Sequence, residues 1–297
     1  MAEHLKAFNI YVPDPVVRMV HYGKEVAHLG VEPRDVTIMF CDADDTSCTC
    51  HDLDPSALVP FFAEYLDAMS ESIVMTGGTV GKYIGDAVMA FWNSPIELED
   101  HGSAACESAL AQQARLAQLR VMCASRGLPQ LHARIGINAG TVLHGNVGSR
   151  HRMEWGMIGD EVNVASRLEA MGKFYGTSIL ISDALHKRLE PSRFLTRPVD
   201  RVVAYGKRDI TDVHELVGYR DGSTPTQVRM CDGFALLVAA YHSRRFDEAL
   251  QRARAHAREF PHDRKLAEMY EGRCKKLLAG PPVPGSDWSG VHVLAGK

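Results

Sequence analysis

The chain has 297 residues, 45% of them hydrophobic and 24% charged, with a formal net charge of −4. Such a chain builds a core without disulfide or metal staples, as one large domain or one ordinary domain with a small appendage. Near-balanced charge excludes a strongly basic nucleic-acid surface, and seven cysteines without disulfide-rich spacing fit a reducing compartment. Cys41, Cys106 and Cys123 read as small buried residues, and Cys48-Thr49-Cys50-His51 as at most a metal half-site, since no second ligand pair follows at zinc-like spacing. His4, Lys6 and Asn9 interrupt any signal-like apolar run, and no stretch reaches the roughly 18 apolar residues that span a bilayer. A cytoplasmic chain with no membrane segment is expected.

In chain order, residues 1–33 form a lead-in with a helix opened by Pro13 and Pro15 at Val16. Asp35 to Cys41 is a short β-branched run and reads as a buried strand, with Asp42-Ala-Asp-Asp45 directly after it. Pro55 opens a helix whose apolar residues recur from Leu58 to Met69, and Gly77-Gly78 ends it. Thr79–Ile84 and Ala87–Trp92 are strands around a Gly85-Asp86 hairpin turn. Asp100 to Ser125 is a helix, Leu131 to Ala139 a strand, and Gly140, Gly145 and Gly148 punctuate a loop or arm. Met153–Ile158 is a strand and Asp160–Tyr175 a helix; strands at 178–181, 194–203 and 212–216 complete the sheet. Strand, helix, hairpin, helix, strand is the α+β, ferredoxin-like βαββαβ order. After a linker-like break at 221–225 the pattern is helical. Tyr241, Phe246, Ala249 and Leu250, with Pro261, resemble one tetratricopeptide repeat, which alone would pack on its neighbour. Gly280 to Pro284 is a stiff spacer, and Trp288 to Leu294 a short docking segment.

Asp42 at a strand's carboxyl end and Asp86 at the tip of the next hairpin can converge. Two such carboxylates are hard oxygen ligands for Mg²⁺ or Mn²⁺; read locally, they are equally turn residues. Asn163 and Arg167, four apart on one helix, share a face.

Gly78-Thr-Val-Gly-Lys-Tyr-Ile-Gly-Asp-Ala-Val-Met-Ala-Phe-Trp92 resembles the second-metal segment of class III adenylate and guanylate cyclases. Arg134-Ile-Gly-Ile-Asn-Ala-Gly140 with Gly145-Asn-Val-Gly148 is similar to their central strand and arm, and Ile158-Gly-Asp-Glu-Val-Asn-Val-Ala-Ser-Arg-Leu-Glu169 to their strongest signature. The motifs run in order over residues 34–217, most like bacterial-type adenylate cyclases. The resemblance implies a catalytic domain at 34–220 and a helical, tetratricopeptide-like extension at 226–297. It implies two divalent cations, Mg²⁺ or Mn²⁺, on Asp42, Asp86 and the Ala43 carbonyl. Lys82 matches the purine-reading lysine, which donates to adenine N1 and so favours ATP; otherwise it is a solvated strand lysine. Asn163 and Arg167 match the pair that orients the ribose and stabilises the α-phosphate; otherwise Arg167 pairs with Glu169 or Asp160. The family divides its site across a dimer, and this chain holds both halves, so a homodimer is implied.

The sequence departs from the family at three places. Asp45 and Thr46 stand at the Gly and Phe positions of the phosphate loop, and extra carboxylates there repel a triphosphate unless turned away or cation-bound. Gly156 stands where a second purine-reading side chain is usual, leaving a backbone carbonyl or water as the acceptor. Tyr205 replaces a triphosphate lysine, which leaves Lys207 or Arg208 to reach the phosphates. An active adenylate cyclase is the first expectation. A cyclase-fold module that binds without turnover is the second, and a guanylate or promiscuous cyclase the third.

Overall fold

The structure, a computed structural model, describes residues 11–22, 28–44, 54–203, 210–282 and 288–293. The chain divides into two compact units, Met1–Glu169 and Ala170–Lys297. The first holds α1 (Asp14–Tyr22), β1 (Gly30–Ala43), α2 (Pro55–Met75), β2 (Thr79–Ile84), β3 (Ala87–Trp92), α3 (His101–Ser125), β4 (Ala133–Ser149) and β5 (Arg152–Ile158). Helix α4 (Asp160–Tyr175) starts in this unit and ends in the second.

The strands of the first unit lie in the order β2-β3-β1-β4, with β5 on β4, all antiparallel. This is the expected βαββαβ arrangement. Alternation gives β1 two faces. Thr37, Met39 and Cys41 look toward the helices: Thr37 Oγ1 lies 2.6 Å from His101 Nδ1, and Cys41 Sγ 3.7 Å from Tyr65 Oη. Val36 and Ile38 look the other way, into a cluster with Met89, Phe91, Val142 and Ala165. Helix α2 begins where expected because Asp54 accepts from Ser56 N at 2.8 Å and Pro55 follows it.

The glycines from 140 to 148 lie in the arm, the second of the two forms expected: β4 runs through them to Ser149, and β5 folds back on it as a β-ribbon. One expectation is corrected. β1 is twice the expected length because Gly30–Arg34 pair with Val142–Asn146 of that arm, so the end of the expected lead-in is strand. These mostly exposed residues are held by backbone ladder bonds rather than by burial, so hydrophobic patterning does not reveal them.

The second unit contains β6 (Ile179–Ser182), α5 (Asp183–His186), β7 (Phe194–Val203), β8 (Ile210–Tyr219), α6 (Pro225–His242), α7 (Phe246–Glu259), α8 (Arg264–Ala279) and β9 (His292–Val293). Strands are ordered β6-β8-β7-β9, with β9 parallel to β7. The three long helices brace these strands. Leu195 packs with Met230, Cys231 and Phe260, the Tyr270 hydroxyl donates to the Val199 carbonyl at 2.9 Å, and Arg273 grips Asp200 with two contacts of 2.8 Å. The Trp288 ring packs edge-on against Tyr241 and Phe246, as a docking segment should. The five cysteines among the described residues are free and buried, Cys41, Cys106 and Cys123 included. No helix among the described residues is long and apolar enough to cross a membrane.

Candidate active site

Register places the first group of residues. β1 and β3 pair from Thr37↔Trp92 to Cys41↔Val88, which brings the end of β1 beside the β2–β3 turn that carries Asp86. The Asp44 N–H donates to the His132 carbonyl across on β4 at 2.7 Å. In the same planar, trans peptide the Ala43 carbonyl points the opposite way, toward the hairpin tip. The tip is a two-residue loop between Ile84 and Ala87, with Gly85 at φ 66° in the position a type II′ turn reserves for glycine. Asp42, the Ala43 carbonyl and Asp86 therefore lie at one end of the sheet, with Asp86 near enough for its charge to act on Asp42.

Their electrostatics favour a cation. Asp42 is 29% exposed. Burial raises its pKa, the Asp86 charge raises it further, and Arg134 opposes both. Arg134, directly across the ladder from Asp42, is 12% exposed and holds three carboxylates: Asp42 at 3.4 Å, Glu169 at 2.9 Å, and Asp44. Burial also raises Glu169 despite Arg134. Asp44 is thus turned to Arg134. With Asp86 the cluster keeps surplus negative charge, and two carboxylates beside an outward carbonyl are a hard-oxygen donor set that fits Mg²⁺ or Mn²⁺.

The second group lies in a cavity of about 240 Å³ lined by Phe40, Lys82, Met89, Glu154, Gly156 and Met157 among others. That is below the roughly 300–1,000 Å³ that engulf a drug-sized ligand and suits a base rather than a whole nucleotide. Lys82 reaches it through a β-bulge. Counted from Thr79↔Phe91, a regular ladder would set Lys82 opposite Val88, on the face toward α2. The extra residue Gly81 sets it opposite Met89, on the cavity side. Lys82 Nζ contacts Glu154 Oε1 at 2.6 Å.

The third group is on α4. Gly136 lets this helix lie against β4: a Cβ there would stand 2.3 Å from the Ala165 carbonyl oxygen. Asn138 Nδ2 donates to the Glu161 carbonyl at 3.0 Å and pins the helix's first turn. Asn163 is exposed one turn before Arg167, whose Nη1 is buried with no hydrogen-bond partner among the described residues. Glu169, the alternative partner considered for Arg167, is instead held by Arg134. A buried guanidinium nitrogen left open is an anion site waiting for its oxygen.

Lys207, Arg208, Tyr205, Asp45, Thr46 and the Cys48-Cys50-His51 half-site lie outside the described residues. Sequence reasoning missed Arg134 and Glu154. Counting register from Asp42 finds the first, and stepping two residues back from Gly156 finds the second.

Residues 31–217 match the adenylate and guanylate cyclase catalytic domain. The chain belongs to this family. Adenylate cyclase 1 of Rhizobium meliloti is 37% identical over 214 residues, covering 71% of this chain and 32% of that protein. An adenylate cyclase of Anabaena cylindrica is 33% identical over 222 residues, covering 71% and 43%. The cyclase chain thus spans less than half the length of either relative. The structure of the adenylyl cyclase CyaB from P. aeruginosa matches with a TM-score of 0.60 at 28% identity, over 66% of this chain and 100% of that one. The guanylyl cyclase Cya2 matches at 0.58 and 26%, over 66% and 97%.

In the second unit of the cyclase chain, Asp183, His186 and His214 bring ligand atoms within 4.8 Å of one another. The two imidazoles are stacked 3.8 Å apart with planes 6° from parallel. Each nitrogen lone pair lies in its own ring plane, so one ion cannot sit in both. The arrangement is a packed pair of neutral rings. Burial first, then the neighbouring His186, depresses His214 to about 4. The unfolded chain takes up this proton near pH 6.5 and the folded chain does not. The cost to folding is therefore absent above pH 6.5, grows as pH falls, and levels off near pH 4. Between pH 7.5 and 5 His214 should remove about 2 kcal/mol of stability. Urea unfolding at both pH values should show the His214→Gln chain losing less than the parent; equal losses would assign the acid sensitivity elsewhere.

Proposed function

We propose that the chain is an adenylate cyclase that converts ATP to 3′,5′-cyclic AMP and pyrophosphate, with residues 34–220 as catalytic domain and each site shared between two copies. The observation that carries this is the convergence of Asp42, the Ala43 carbonyl and Asp86 at the sheet end. Two bound divalent cations would neutralise the triphosphate and make the ribose 3′-oxygen a better nucleophile. Lys82 donates to adenine N1. Asn163 orients the ribose, and Arg167 Nη1 donates to an α-phosphate oxygen as pyrophosphate leaves in line, so the protein works by positioning and charge rather than as a nucleophile. Lys207 is assigned to the phosphates. A second copy is supported by the arm, where Leu143 pairs opposite Ile158 and Val31 lies two positions along, all on one face and 41–51% exposed. The tetratricopeptide-like helices brace the fold in this reading, and a cytosolic setting with free ATP goes with it.

Purified chain given ATP should form cyclic AMP with Mg²⁺ or Mn²⁺, and more of it than cyclic GMP from GTP. A preference for GTP would move the assignment to a guanylate cyclase. The binding-only reading draws on the Arg134–Asp42 contact. A chain that binds ATP and yields no product with either cation would select it.

A further inference from the structure

Gly156 leaves the base cavity without the side chain that resemblance places there, yet the cavity has an acceptor. Glu154 and Gly156 are two apart on β5 and so point to one face. Glu154 Oε1 lies 3.8 Å from where a Cβ on Gly156 would stand, and 2.6 Å from Lys82 Nζ. One carboxylate oxygen therefore stands in van der Waals reach of the position where the missing side chain would begin, and does so beside the lysine. The Glu154 and Lys82 side chains are 52% and 40% exposed, so their ion pair is screened by water and yields readily to a ligand.

Resting on the cyclase reading, we propose that Glu154 is the second base-reading residue. On a 6-aminopurine the ring N1 accepts and the adjacent 6-amino group donates. Lys82 and Glu154 meet that edge side by side, ammonium to N1 and carboxylate to the amino group. Neighbouring ring positions need neighbouring protein groups, so the pair separates only slightly to admit the base. The same pair can meet a 6-oxopurine in altered roles, Lys82 to O6 and Glu154 to N1–H. The ligand class is thus purine nucleoside triphosphates.

The test removes either half of the contact. Purine riboside triphosphate, which lacks the 6-amino group, should bind the parent chain about 10-fold more weakly than ATP, the loss expected for one charge-assisted hydrogen bond. Glu154→Ala should bind both about equally, at the weaker level, with KM for ATP raised and kcat little changed. Glu154→Ala combined with Gly156→Thr should regain the preference for ATP. Space exists for that residue, since the nearest atom to a Cβ at 156 is 3.5 Å away. A Glu154→Ala chain that keeps the parent's preference for ATP overturns the proposal. Equilibrium binding is measured beside turnover, so loss of the cyclase reading would show in product formation and loss of the Glu154 role in the binding ratio.

Discussion

Mixing an Asp86→Ala chain with an Arg167→Ala chain should restore about a quarter of the parent activity that either chain alone has lost. Asp86 carries half of the carboxylate pair: burial raises Asp42 first, and the Asp86 charge raises it further. Without it the cation's several kcal/mol of charge stabilisation goes, about three decades of rate. Arg167 offers a buried, unpartnered Nη1, and removing a donor of that kind costs about 10²- to 10³-fold. If one copy supplies the carboxylates and the other the guanidinium, each mixed dimer has one site with both defects and one with neither. Random pairing makes half the dimers mixed, which leaves a quarter of all sites intact. Sizing chromatography of the mixture checks that the two chains associate. Recovery near zero from associated chains would place both groups in a site made by a single copy. An Asp86→Ala chain of parent activity would remove the carboxylate from the mechanism.

The largest expected stability effect lies in the second unit. Arg197 is 2% exposed and fastened on several sides. It pairs with Asp263, at 2.7 Å through Nη2, and with Glu215 at 2.7 Å, and its guanidinium lies 4.9 Å from the centre of the Phe234 ring. His256 Nε2 completes the set, 2.6 Å from Asp263. Burial would raise the Asp263 carboxyl, but the bonds from Arg197 and His256 outweigh it and hold it low. Glu215 has Arg197 as its cationic hydrogen-bond partner, and burial pushes it up. Arg197→Met removes the cation and leaves two carboxylates in the interior. Breaking a buried pair in this way costs about 3–5 kcal/mol, a large share of the 5–15 kcal/mol that holds a typical domain. Arg197→Lys should also be costly, because an ammonium cannot fork between two carboxylates. The sign with pH is fixed: the stranded carboxylates are relieved when protonated, so the gap between Arg197→Met and parent should be smaller at pH 5 than at pH 7.5. Urea midpoints measure both. A loss below about 1 kcal/mol would mean that the network is hydrated and unimportant to the fold.

The sequence made the framework legible where a segment carries its own signal. Helix α4 begins and ends where Asp160 and Gly176 place it, and Gly85-Asp86 marks the β2–β3 turn. Asp42 and Asp86 could be brought together from element order alone. What depended on register was hidden. The Gly81 bulge decides which face Lys82 occupies, and no periodicity in Thr79–Ile84 announces it. Arg134 and Asp42 are far apart in sequence and meet because two strands pair in one register rather than another. Glu154 carries no signal in the sequence, since only its place beside position 156 and Lys82 sets it apart. The stacked His186 and His214 come from separate elements and could not be paired from sequence. The helices after Pro225 were legible as helices, but their hold on β7 rests on Asp200, Asp263 and Arg197, polar residues whose burial no hydropathy pattern reports.

Arg134 has a consequence for how this protein tolerates an empty site. Many metal centres are crowded with like charges that only the ion can reconcile, so chelation unfolds them. Here a resident guanidinium already balances much of the acidic cluster. Occupancy and folding are then only weakly linked: an ion held near its dissociation constant adds about 0.4 kcal/mol to stability. On the proposed reading, such a centre would load and unload its cations with each nucleotide while the sheet beneath stays in place, and the ion would act as a co-substrate rather than a part of the fold.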